Sequence, residues 1–177
     1  MAAPITPPPV DTYAAINRIL VRTIADVTEP TLAELTALTA LDYSNCILED
    51  SALPTMEEST FEYARRWGRR NQTQGRGTVK YQGGTLRYAY DPQGDIDDAA
   101  NKAYKLLSPG RGFDVQRIGL PTEVALAADQ WVRVLEIELG EQWEMPSSTD
   151  QGQQAVIMQN FYVVDERDSI ERVQILA

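Results

Sequence analysis

Apolar and polar residues alternate one for one in several short stretches of this chain, the period of a half-buried strand rather than of a helix. The clearest is Trp131–Leu139, where Leu135, Ile137 and Leu139 take one side and Glu136 and Glu138 the other. An antiparallel sheet with one buried face and one wet, acidic face produces that pattern. Phe113–Ile118, Gln154–Val164 and Arg172–Leu176 read as further strands, and Tyr43–Glu49 as an earlier one. Thr78–Gln82 and Thr85–Tyr90 flank Gly83-Gly84, which together spell a hairpin with a two-residue turn. With the glycines as the loop, Tyr81 opposes Leu86, Val79 opposes Tyr88, and Lys80 opposes Arg87. Like charges facing across a strand pair are unfavourable, so an acidic partner is expected near that second face.

One segment has helical spacing. Ile96, Ala99, Ala100, Ala103, Leu106 and Leu107 form a single apolar stripe. Asp95, Asp97 and Asp98 fall in the first turn and Lys102 and Lys105 in the last, as the helix dipole favours. Ser108-Pro109-Gly110 ends it. Residues 31–40, after Pro30, read as a short helix or irregular chain. Strands with one helix imply a mainly β (α+β) fold: an antiparallel sandwich or barrel with the helix on one flank.

Between the first strand and the hairpin, residues 50–77 read as a long polar connection, of the kind that is usually functional in a compact domain. The start is different again. Met1–Pro9 carries four prolines, three of them consecutive, and no charge, which favours a stiff, extended arm. The chain therefore divides into a proline-rich arm, 1–17, and a single β domain, 18–177. At 177 residues, such a domain buries roughly 70% of its unfolded surface and needs no staples.

Charge is segregated along the chain. Arg65, Arg66, Arg69, Arg70, Arg76, Lys80 and Arg87 supply seven basic side chains with no acid between them. Subtracting them from the totals leaves 9 basic against 26 acidic residues elsewhere, a balance of −17. Residues 123–171 alone hold eleven acids and two bases. A nucleic-acid-binding module using the stretch 65–87 is one reading, since arginine with glycine and an aromatic neutralises phosphates. An acidic body repels a polyanion, however. The other reading has the basic residues of one copy meeting the acidic surface of the next, with Glu136, Glu138, Glu141 and Glu144 as candidate acids. Complementary charge of that kind steers association, and a head-to-tail contact generates rings or filaments.

Catalytic chemistry finds no support. Histidine is absent, which removes the usual acid–base catalyst and commonest metal ligand. The lone cysteine, Cys46, forms no internal disulfide and reads as a small, inert, buried hydrophobe in a strand. Gly75-Arg76-Gly77 and Gly83-Gly84 lack the context of a phosphate loop, and paired acids such as Asp97/Asp98 are explained by the helix dipole. No cofactor or metal is expected. Exposed Trp67 or Trp143 makes a carbohydrate-binding module conceivable, although Trp143 reads better as core. No apolar run approaches the ~20 residues that cross a bilayer.

A string of segments in order carries a resemblance: Thr28–Ala37, Leu86–Gln93, Asn101–Leu107, Gly112–Leu120 and on through Gln130–Pro146. It resembles the major tail proteins of long-tailed bacteriophages, particularly those infecting actinobacteria. The resemblance implies a homo-oligomer of stacked hexameric rings, with inner sheets joined into one tube around a channel. Phage DNA passes through that channel without specific binding, so an acidic lining is suitable. It also implies the tape-measure protein, tail terminator and distal tail protein as partners, the virion as location, and assembly in the host cytoplasm. Residues 50–77 and the terminal arm become contacts between rings. A ring-forming terminator or adaptor is the nearest alternative.

Overall fold

The computed structural model describes residues 15–37, 39–48, 51–64, 67–68, 72–145, 155–164 and 172–177. The fold is mainly β, and the chain divides into two compact units. The first comprises Met1–Cys46, Gly112–Val134 and Ile170–Ala177; the second comprises Ile47–Arg111 and Leu135–Ser169.

In the first unit, β1 (Ile16–Val21) lies between β2 (Leu41–Asp42) and β6 (Gly110–Ile118), antiparallel to both. The first four residues of β7 (Trp131–Glu144) belong here, three of them paired with β9 (Arg172–Gln174). Ile19 faces Val115 and Val21 faces Phe113 across the β1–β6 ladder. Ile19, Val21 and Val115 pack with Leu35, Val132 and Ile175 in one apolar cluster. The opposite face of the same ladder is buried but polar. Leu20 faces Asp114 and Arg18 faces Gln116, with Arg18, Asp114 and Gln116 each at most 4% exposed. Burial on both faces is why the alternation rule passes over β1, whose Asn17 and Arg18 do not look like core residues.

Short-range bonds set the ends of these elements. Helix α1 (Leu32–Leu35) starts in a capping box: Thr31 Oγ1 accepts from Glu34 N at 3.3 Å, and Glu34 Oε2 accepts from Thr31 N at 2.9 Å. Glu34 Oε1 also accepts from Ala25 N at 2.8 Å, and these bonds hold its carboxyl below the ordinary glutamate value. Of the strand expected at Tyr43–Glu49, Ser44–Cys46 is instead a turn, Ile47 makes an isolated bridge to Tyr88, and Glu49 lies outside the described residues. Asp42 Oδ1 accepts from Ser44 N at 3.1 Å and from its hydroxyl, a local bond that competes with a ladder. β2 therefore stops after two residues, and Cys46 sits half-buried in the turn rather than buried in a strand.

In the second unit, β8 (Val156–Val163) pairs antiparallel with β5 (Gly84–Ala89) and with the remainder of β7. Leu135, Ile137 and Leu139 are buried and Glu136 and Glu138 are not, as their alternation requires. Leu48 and Ala52 meet the outer edge of β5: Leu48 N donates to Arg87 O and Ala52 N to Thr85 O. The expected helix over Asp95–Leu107 is shorter, a 3-10 turn at Ala99–Asn101 followed by α2 (Lys102–Leu106). Asp97 N donates to Asp95 Oδ1 and Asp95 N to Asp98 Oδ2, both at 3.0 Å. Those side-chain turns displace the first helical turn and leave Ile96 exposed. At the other end, carbonyls with no helical partner are taken by glutamines of the sheet. Gln142 Nε2 donates to Tyr104 O at 2.8 Å, and Gln159 Nε2 donates to Leu107 O at 2.8 Å.

The hairpin expected at Gly83-Gly84 does not form. β4 (Gln74–Gln82) pairs with β3 (Thr55–Glu62), while β5 pairs with β8. Tyr81 therefore opposes Met56 rather than Leu86, and Val79 opposes Glu58 rather than Tyr88. The glycines serve close approach, not chain reversal. A Cβ at Gly83 would overlap the Phe161 carbonyl oxygen, and one at Gly84 would overlap the Ala52 methyl. The same pairing corrects the reading of 50–77 as a loop, because it contains β3 and the start of β4.

Candidate assembly surface

β3 and β4 form a two-stranded ribbon with a register shift between Glu58 and Thr60. All eight positions of β3 are exposed, so no core lies against it. Side chains alternate along β3, placing Met56, Glu58, Thr60 and Glu62 on one face and Thr55, Glu57, Ser59 and Phe61 on the other. Register adds Tyr81, Val79 and Arg76 to the first face and Lys80 and Gly75 to the second. Phe61 and Tyr63 meet edge to face with centroids 4.9 Å apart. A Cβ at Gly75 would lie 2.6 Å from Phe61 Cζ and 2.8 Å from Tyr63 Cε2, so both rings rest on the space that this glycine leaves. Each face of the ribbon carries both apolar and charged side chains. Met56, Phe61 and Tyr63 are 57%, 46% and 53% exposed.

Of the sequence-predicted basic residues, Arg76 and Lys80 lie on the ribbon and Arg87 on β5. Arg65, Arg66, Arg69 and Arg70 lie outside the described residues, although Trp67 between them is fully exposed. Arg76 Nε is 2.5 Å from Glu58 Oε1, and Lys80 stands across the ladder from Glu57. The acidic partner expected for Lys80 is thus in its own ribbon. Arg87 is elsewhere, half-buried on β5, with Nη2 3.5 Å from Met145 Sδ and its backbone N donating to Ser51 Oγ at 2.9 Å.

The four predicted acids lie on β7. Glu136 Oε1 and Glu138 Oε2 each approach the Arg111 guanidinium at 3.7 Å, a neutralising contact that the linear charge count missed. Glu141 and Glu144 are exposed beyond the irregularity between Leu139 and Gln142. Together with burial, Glu144 raises the neighbouring Tyr90 phenol above its usual pKa. Trp143 is 44% exposed and is not core: it pairs with Met158, which pairs in turn with Arg87. At the ribbon's root, a shallow groove of about 450 Å³ is lined by Tyr81, Thr85, Asn160, Phe161 and Tyr162.

Among the described residues, no group of histidine, cysteine, aspartate or glutamate is placed to hold a metal ion, and no helix is long and apolar enough to cross a membrane. The ribbon is the feature that sequence reasoning missed. Its signal was the alternation of Phe61 and Tyr63 about Glu62, hidden inside a stretch read as uniformly polar.

No curated protein matches the chain. A chain in the cryo-EM structure of the anti-feeding prophage baseplate, 6-fold symmetrised, is similar with a TM-score of 0.48 and 8% identity. That similarity covers 93% of this chain and 95% of that one. Residues 6–168, nearly the whole length, match the profile of a family described as phage tail tube protein. An antiparallel β fold with a solvent-exposed ribbon and a family match of that extent lead to one assignment: the chain belongs to the phage tail tube protein family.

Proposed function

We propose that this protein is the repeating subunit of a bacteriophage tail tube, assembling as hexameric rings that stack around a channel for DNA ejection. The observation that carries the reading is the ribbon: an eight-residue strand, exposed throughout and, among the described residues, paired only with β4. An isolated two-stranded ribbon is marginal in water, and free strand edges invite pairing with another chain. A surface of that kind suits a subunit completed by its neighbours.

Charge supports the same reading. The four arginines at 65, 66, 69 and 70 lie between β3 and β4 in the chain, and the residues outside the stretch 65–87 carry −17. Attraction between that basic run and an acidic neighbour raises the encounter rate and disfavours wrong orientations. Glu138, Glu141 and Glu144 are the exposed acids of β7 and are candidates for the neighbour's surface or the channel wall. The partners of this reading are further copies of the chain, the tape-measure protein, the tail terminator and the distal tail protein. Assembly takes place in the host cytoplasm and the product resides in the virion tail.

Reversing Arg65, Arg66, Arg69 and Arg70 to glutamate tests the role given to the basic run. Negative-stain microscopy of the concentrated variant should show unstacked rings or free subunits, with the circular dichroism spectrum unchanged. Tubes as long and as abundant as those of the wild type would remove the basic run from the contact.

A further inference from the structure

In the first unit, the pairing of β7 with β9 puts charge where a sheet disfavours it. Val132 and Val173 oppose one another and join the apolar cluster. Trp131, Arg133, Arg172 and Gln174 therefore take the other, exposed face. There Arg133 stands directly opposite Arg172, and Trp131 opposite Gln174. Like charges opposed across a ladder are destabilising, and among the described residues no acid relieves these two. Asp114, on the same face at β6, is buried and bonded to Arg18. Asp129, in the turn before β7, accepts instead from Gln174 Nε2 at 3.3 Å.

The aromatic neighbour belongs to the same arrangement. Arg172 Cζ lies 5.4 Å from the centroid of the Trp131 ring, a cation–π contact. A guanidinium stacked on an indole is held in plane, with its N–H edge open to a planar acceptor. Trp131 is itself 50% exposed, so whatever meets the arginines meets the indole as well. Tryptophan and arginine are the side chains that most often carry interface energy. Charge on a short edge strand can simply guard it against pairing with another sheet. That explains Arg172 alone, and not a second arginine opposite it with an indole alongside. A local rule broken with no gain inside the fold marks a functional surface.

We infer that Trp131, Arg133 and Arg172 form a docking site for an acidic protein segment, one that offers a carboxylate to each guanidinium. Arginine takes a carboxylate through paired, charge-assisted bonds, and each one that docks here also relieves the opposed charges. Nucleic acid suits the site less well. Arg172 already covers a face of the indole on which a base would stack, and a net charge of −10 opposes a long polyanion more than a short segment. The inference goes beyond the tail-tube reading and does not depend on it.

The test uses the full chain carrying Trp67→Phe and Trp143→Phe, which leaves Trp131 as the sole tryptophan of three. Both replaced rings are exposed, so the fold is kept. Its fluorescence is followed at low salt against hexaglutamate, hexalysine and an oligothymidylate of equal charge. The arginines at 65–70 also attract acids, and reading Trp131 alone confines the signal to this site. Hexaglutamate should shift the emission saturably and hexalysine should not. Adding Arg133→Gln with Arg172→Gln should raise the peptide concentration for half-saturation by about tenfold or more. The melting temperature should meanwhile hold or rise, because the opposed charges are gone. An emission indifferent to hexaglutamate, or a glutamine variant that responds like its parent, overturns the inference. A larger response to the oligonucleotide than to hexaglutamate overturns it in favour of nucleic acid. A response that appears only once Asp165, Glu166, Asp168 and Glu171 are changed to amides makes the chain's own segment the occupant and also overturns it. None of these outcomes bears on ring formation, which microscopy of the same protein reads separately.

Discussion

Asp114 is bonded on all sides inside the first unit. Arg18 Nη2 donates to Oδ2 at 2.6 Å, Tyr43 OH to Oδ1 at 2.7 Å and Gln116 Nε2 to Oδ2 at 2.8 Å. Burial lowers the Arg18 pKa, but the Asp114 charge and Tyr43 more than offset this and the net shift is upward. Replacing one member leaves the other charge buried without a counterpart. Asp114→Asn should therefore cost roughly 3–5 kcal/mol, read as a lower urea midpoint at constant slope; a loss under about 1 kcal/mol would show the pair to be dispensable. Two phenols give a second readout. Tyr43 is raised above the ordinary value of 10.0, first by burial and then by Asp114; Tyr88 is raised by burial, against a hydrogen bond from Gln142. A raised folded value means that the stability these phenols add is complete below about pH 10 and is lost as pH climbs above it. Of the eight tyrosines, Tyr43 and Tyr88 should ionise only with unfolding, so tyrosinate absorbance should rise in two stages. A single stage completed while the fold persists would contradict their burial. None of this was legible beforehand. Arg18 and Asp114 are 96 residues apart, and a charged residue in a strand looks solvent-facing until its partner is known.

Elements were legible where one face of a strand meets one core. Phe113–Ile118 and Trp131–Leu139 fall inside β6 and β7, and Gln154–Val164 and Arg172–Leu176 contain β8 and β9, because alternation reports burial directly. Partners were not legible. Gly83-Gly84 has the composition of a hairpin turn, yet the chain runs on through it and trades β3 for β8, since what the site demands is the absence of a Cβ. Gly83→Ala should force β8 and the ribbon's root apart at Phe161 and cost roughly 1–3 kcal/mol, seen as a lower melting temperature. An unchanged melting temperature would mean that the contact yields freely. The ribbon escaped notice for a related reason: with no core behind it, β3 is free to carry Glu57, Glu58, Ser59 and Thr60 in a row, so burial left only a faint pattern to read.

For the whole molecule, composition excluded more than it specified. The lack of histidine and the single cysteine argued against familiar catalytic chemistry, and the separation of charge argued for self-association. The structure redistributes that charge: Arg111 sits against Glu136 and Glu138, and Arg76 against Glu58. A linear count of acids and bases thus overstates the polarity of the strands, because cross-strand neighbours come from distant parts of the sequence. Strand β7 has a further property at this scale. Val132 and Val134 are buried, and so are Leu135, Ile137 and Leu139, so the buried side changes midway, where the chain passes from one unit to the other. A pairing frame displaced by one residue would turn Trp131 and Arg133 inward at one end and Glu136 and Glu138 inward at the other. Each half of the strand thereby vetoes slippage in its own surroundings. An insertion of a single residue near Val134 would put the two halves out of phase, a fault that neither unit could correct without undoing its own sheet.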